Sequence, residues 1–272
     1  IMNLAETCGE HLNNIVIYTP CFHDGELVAF AANRAHWVDV GGTRVGFGSY
    51  ATNEIFQEGL QLRSIKIYEA GRRNEAVWQI LHDNLRFPES SLGDLRAQIA
   101  SCNLGERRLG EAFGRYGVDT VRDCIAEIWD QAEVEAREVI AGIPDGIYKA
   151  HSLLDNDGRT LDKPLDVKVT VTIDGEEMTV DYSEMNPQVP TPLNSGFSGG
   201  LAAARVAFKC LTMPDAPVNE GCFRSLKLIS PEGTMLNARS PAAIGLWSIM
   251  LPTVIDTILK ALATAMPDRI PA

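Results

Sequence analysis

A chain of 272 residues, 45% hydrophobic and 22% charged, can bury an ordinary core without disulfides or structural metals. Its formal net charge of −12 excludes a nucleic-acid binder, which needs a basic surface to neutralise phosphates, and is unlike a basic membrane-surface protein. Its six cysteines contain no CxxC pair, so a zinc ribbon is not expected; with no membrane-spanning run and no signal peptide legible, the expected compartment is the reducing cytoplasm.

Residues 15–22, IVIYTPCF, form an apolar β-prone run, HDG at 23–25 is a hairpin turn signal, and a second strand is predicted over 26–34. That strand runs out into Arg34, His36, Trp37 and Asp39 before a double glycine, Gly41-Gly42. A Gly- and Ser-containing loop occupies 41–54, and a short strand is predicted within 63–71, stopped by Gly71. From Asn74 the period becomes helical. A helix over 90–117 carries Leu92, Leu95, Ile99, Cys102, Leu109 and Phe113 at three- and four-residue steps, with Ser90 or Ser91 as N-cap and Gly117 as stop. A second, over 119–141, places Val121, Cys124, Ile128 and Ala132 on one face and the acidic Asp130, Glu133, Glu135 and Glu138 on a solvated one. The short link between them predicts an antiparallel helix pair.

The period then changes to alternation, with turn signals at Asp157-Gly158 and Asp174-Gly175, which predicts an antiparallel meander. After a Pro- and Gly-rich loop at 187–200 come a buried helix over 199–213, a further strand within 223–236, and an apolar helix over 248–266. The fold class is α+β: an N-terminal β-hairpin region, a helical insertion, an antiparallel β meander and a C-terminal helix. Three regions are expected: a β-rich site region at 1–72, a helical region at 73–142 and an α+β region at 143–272. The first residues read like the inside of a strand, so the chain is expected to be a piece of a longer one.

Three of the five histidines, His11, His23 and His36, fall in the first forty residues. In a hairpin turning near Asp24-Gly25, His11 and His36 return to one place while His23 lies at the far tip. Asn14 and Asp39, each three residues beyond one of these histidines, are candidate ligands or orienting partners. The plainer alternative is a pair of hydrogen-bonded surface histidines, with Trp37 in the core and Arg34 a surface charge. NSGFSGG at 194–200 could offer backbone N–H groups to an anion, but it lacks the lysine and spacing of a P-loop, and Ser195 lacks a GxSxG context. NEGCFR at 219–224 groups Glu220, Cys222 and Arg224, or is simply a turn entering a strand.

FHDGELVAFAANRAHWVDVGG, EIFQEGLQL, KIYEAGRRNE, LGDLRAQIASCNLGERRL, IPDGIY and NEGCFRSLKLISPEGTMLNARSPAA resemble, in order, the blocks of the hydantoinase B/oxoprolinase family. The family's segment NDPYxGGTHLPD is represented here by NLAETCGEHLNN. Its His falls on His11, its closing Asp on Asn14, and the His after the second strand on His36; its Asp-Pro is replaced by Leu4-Ala5. The resemblance implies a divalent metal (Zn, Mn or Fe) held by His11, Asn14 and His36, with His36 and Asp39 as the catalytic pair. Asn14 is neutral where the family has a carboxylate, which weakens a hard-cation site unless Asp39 or Glu10 compensates.

The resemblance further implies a hetero-oligomer with a hydantoinase A-type ATPase subunit, which carries the ATP. The implied function is an ATP-dependent cyclic-amide hydrolase of hydantoinase or 5-oxoprolinase type. The alternatives are an ATP-dependent ketone carboxylase of acetone or acetophenone type, or a non-catalytic structural subunit with a decayed metal site. The expected substrate is a small cyclic amide or ketone, with neither nucleic acid nor membrane as partner.

Overall fold

A computed structural model describes residues 1–4, 11–46 and 48–270; expectations resting on Ala5, Cys8 and Glu10 lie outside the described residues. The opening strands β1 (Asn14–His23) and β2 (Glu26–His36) pair antiparallel, with Asn14 opposite His36 at the open end. Asp24 and Gly25 both take positive φ, 49° and 82°, the backbone of a tight turn whose twist matches that of the strands. A short hairpin, β3 (Tyr68–Glu69) and β4 (Arg72–Arg73), and helix α1 (Glu75–Asn84) follow; Asn74 caps α1 by accepting from the Val77 N–H.

Helix α2 (Pro88–Tyr116) lies across the first hairpin, burying Leu92, Leu95 and Cys102 against Ile15 and Ile17. It begins two residues before the expected serines. Pro88 stands in its first turn, where its fixed φ suits a helix and its missing N–H is no loss, so Ser90 and Ser91 are interior. Gly117 ends the helix at φ 82°. Helix α3 (Val118–Ala141) follows at once but packs on a different part of the molecule, so the antiparallel helix pair expected from the short link is not what organises these helices.

The C-terminal half is a sheet of β5 (Gly146–Leu154), β6 (Leu165–Asp174), β7 (Glu177–Asp181) and β8 (Leu226–Ile229), in that spatial order. The first three form the expected meander, turned tightly at Asp174-Gly175 only; Asp157-Gly158 sits in a longer loop. β8 runs parallel to β7, which a crossover through α4 (Phe197–Thr212) permits. Val167, Val169, Val171 and Ile173 alternate onto one sheet face and are buried with α4, α5 (Trp247–Ala261) and the second half of α3. Among the described residues no helix is long and apolar enough to cross a membrane.

Only Ala132, Ala136 and Ile140 of α3 are buried; Cys124 is exposed and Ile128 is 53% exposed, so the face predicted from its first half stays in solvent. The helix buries apolar side chains against a partner only from Ala132 onward. Its acidic residues divide in the same way. Glu135 and Glu138 are exposed, whereas Glu133 is partly covered and, with Asp130, grips Arg224 beside the buried Cys222. Glu135→Gln is therefore expected to change stability by under about 0.5 kcal/mol, and Glu133→Gln to cost about 1 kcal/mol by loosening Arg224. Urea titration of the two variants checks the difference.

Candidate functional site

The open end of the first hairpin is fixed from below. Trp37 is fully buried, its backbone N–H donates to the Asn13 carbonyl (2.9 Å) and its Nε1–H donates to Gln98 Oε1 of α2 (2.9 Å). Asn13 Nδ2 returns a bond to the Trp37 carbonyl (2.8 Å), and Gln98 Nε2 donates to the Ile15 carbonyl (3.0 Å). These bonds lock the register at which Asn14 faces His36. A turn closed by the Asn14 N–H on the His11 carbonyl then brings His11 back over the same spot.

The two imidazoles lie with ring centroids 4.7 Å apart, His11 1% exposed and His36 open to solvent. Asn14 hydrogen-bonds the His11 ring. His23 is at the tip, near Phe113. The structure thus brings together His11, Asn14 and His36. Burial, reinforced by the neighbouring His36, pushes His11 down to about 4, against the opposing pull of Asn14; desolvation lowers His36 as well. Both rings are therefore biased to the neutral form that a metal or a proton in transit requires.

Folding stability is tied to the same proton. His11 binds it at about 4 when folded and near its ordinary 6.5 when unfolded, so between those values the unfolded chain holds more protons. Stability is expected to be full above about pH 6.5 and to fall by on the order of 2–3 kcal/mol as pH drops toward 4. Urea titrations at pH 7 and pH 4.5 measure this, and His11→Gln should flatten the slope.

Asp39 is buried, and its carboxylate is taken up by Arg86 and Gly41. Arg86 Nη1 donates to Oδ1 (2.7 Å), the Arg86 backbone N–H to Oδ2 (2.6 Å) and the Gly41 N–H more weakly to Oδ1 (3.4 Å). Arg86 also reaches the Gly42 carbonyl, so the pair pins the Gly41-Gly42 turn to the link between α1 and α2. The glycines are needed there: Gly41 has φ +84°, and a Cβ on Gly42 would collide with the Glu58 carbonyl.

Glu58, which no sequence pattern singles out within EIFQEGLQL, lines a small cleft with His11, Thr43, Ser49, Thr52 and Gly245. Burial pushes its carboxyl up from the ordinary range. The only signal of it in the sequence is an acid placed inside a largely apolar and amide stretch. Trp247, at the start of α5, places its ring 5.8 Å from that of His11.

The other sequence candidates serve packing. Asn194 donates to the carbonyls of Val189, Thr191 and Ala243, Ser195 is buried and bonded to the Gly196 carbonyl, and Glu220 pairs with Arg205.

The chain matches the hydantoinase B/oxoprolinase family over residues 1–272. It belongs to that family. This hydantoinase B/oxoprolinase chain is 34% identical to the beta chain of the Pseudomonas jessenii caprolactamase, over 97% of its own length and 45% of the relative's. It is also 34% identical to the B chain of a putative D-/L-hydantoinase from a Pseudomonas species, over 93% and 45%. Its fold superposes on the crystal structure of the ATP-dependent caprolactamase from Pseudomonas jessenii with a TM-score of 0.92, covering 98% of this chain and 46% of that one. An acetone carboxylase shares the fold at 18% identity and a TM-score of 0.86, over 98% and 37%. The family chain spans about half the length of the curated relatives it matches.

As a metal set, His11, Asn14 and His36 supply two ring nitrogens and one neutral oxygen. Among the described residues no three His, Cys, Asp or Glu side chains cluster as ligands. Such a set fits a borderline first-row cation better than a hard one and is one anionic ligand short of a strong site.

Proposed function

We propose that this chain is the site-bearing part of one component of an ATP-dependent cyclic-amide hydrolase, with His11, Asn14 and His36 holding a divalent metal. The observation that carries the reading is the convergence of these three side chains at the open end of one hairpin. It is supported by relatives named as components of a caprolactamase and a hydantoinase. When bound, the metal supplies Lewis-acid polarisation of the amide carbonyl. His11, neutral at physiological pH, orients the group it faces, and Trp247 walls it from water. ATP is used by a hydantoinase A-type partner, so the working protein is a hetero-oligomer in the cytoplasm. Asp39 holds the glycine turn through Arg86.

One feature favours a second reading, a structural component with a decayed site: Asn14 lacks a carboxylate. The full-length protein with its partner, given ATP and caprolactam, hydantoins or 5-oxoproline, tests the proposal. Turnover of a cyclic amide supports it; turnover only with bicarbonate and a ketone makes the protein a carboxylase; none at all, with no metal bound, leaves the structural reading.

A further inference from the structure

Glu58 is a half-buried carboxylate whose hydrogen bonds, among the described residues, come from neutral donors: the Gly245 N–H to Oε1 (2.8 Å), the Ile244 N–H to Oε2 (2.9 Å) and the Thr52 hydroxyl to Oε1 (3.3 Å). Withdrawing a charge from water is costly, and here fixed N–H dipoles offset the cost. Those dipoles belong to the far end of the chain. Ile244 leaves the C-terminal half to lodge in the N-terminal core, and Gly245 stands just before α5, whose first residue is Trp247. The joint is tight. A Cβ on Gly48 would come within 2.6 Å of the Gly245 Cα, and one on Gly245 within 2.5 Å of the Gly48 Cα. No side chain spaces the two backbones, so the carboxylate sets how closely this turn seats beside the cleft that His11 also lines.

We propose that Glu58 is a positioning residue of the histidine site: its carboxylate holds the Ile244–Gly245 backbone and thereby seats Trp247 against His11. The role rests on reading the histidine pair as the reacting site, but it can be tested without turnover. A carboxylate is required because the two N–H groups go to different oxygens. Glutamine offers one oxygen and turns an NH₂ toward the other N–H, so one bond is lost and donor faces donor.

The test is the NMR spectrum of the full chain labelled at histidine, with the His11 signal identified by its loss in His11→Gln. Trp247→Leu removes the ring-current displacement that the indole imposes on His11. Glu58→Gln is expected to move the His11 signal in the same direction. The double variant Glu58→Gln/Trp247→Leu should coincide with Trp247→Leu alone, because both changes break one contact. Glu58→Asp, which keeps both acceptors but draws them back by one methylene, should lie between wild type and Glu58→Gln, and it decides the matter if Glu58→Gln does not fold. A His11 signal unmoved in the folded Glu58 variant, or shifts that add to those of Trp247→Leu, overturns the proposal. A positive result in a protein that turns over no cyclic amide would leave the positioning role standing and remove the hydrolase reading alone.

Discussion

His36→Ala in the complete protein is expected to lower metal affinity by about 100-fold or more, since even an orienting partner of a ligand contributes about 10–100-fold. His36 is exposed, so its truncation leaves no cavity and should change stability by under about 0.5 kcal/mol; a loss of metal then reports the ligand and not the fold. Asn14→Asp is expected to act in the opposite direction. It places a negative charge opposite His36 and against His11. A unit charge about 4 Å from a cation contributes several kcal/mol near a protein surface, and every 1.4 kcal/mol is about tenfold in affinity. Part of that gain is lost because a carboxylate also favours the protonated form of His11, so the net expectation is about 10-fold or more. Metal content and titration calorimetry of wild type and both variants read the result. If neither wild type nor Asn14→Asp binds zinc, manganese or iron, the metal reading fails and the structural reading replaces it.

Arg86→Met is expected to be the most damaging single change away from the histidines. The Asp39 side chain has no solvent exposure, and without the guanidinium its donors among the described residues are the backbone N–H groups of Arg86 and Gly41. Breaking one side of a fully buried pair costs about 3–5 kcal/mol; Arg86 is 42% exposed and the N–H bonds survive, so about 2–3 kcal/mol is expected here. For a chain of this size that corresponds to a fall in Tm of roughly 5–10 °C. Asp39→Asn in the Arg86→Met background should recover much of the loss, because the uncompensated charge is then gone. Thermal unfolding of the two single variants and the double variant measures the coupling. Under the hydrolase proposal, turnover of the complete protein carrying both changes separates the roles of Asp39. If Asp39 holds the turn, activity survives in the refolded double variant; if it moves a proton, activity is lost whatever the stability.

The hairpin, and with it the pairing of the two histidines, was legible in the chain because it is local. A two-residue turn with Asp24-Gly25 and alternating apolar residues sets a register, and a register places both ends together. The meander and the buried helices were legible for the same reason: periods of two and of 3.6 are properties of neighbouring residues. The family blocks put the expected ligand positions, His11, Asn14 and His36, at those ends.

What the tertiary structure alone decided were contacts between residues far apart in sequence. Asp39 is three residues from His36, and its charge was open to either partner until Arg86, 47 residues on, claimed it. Glu58 had no local pattern to mark it: Thr52 is a nearby donor, but the two backbone donors that hold its carboxylate lie 186 and 187 residues later. The exposed first half of α3 has a helical apolar stripe like any other, and only the position of its neighbours leaves that stripe in solvent. β8 joins β7 in parallel because a crossover through α4 returns it on that side. Local periodicity sets what each segment can become. Burial and pairing of charges are set by whichever distant segment arrives, because desolvation acts on the whole surroundings of a group and not on its sequence neighbours.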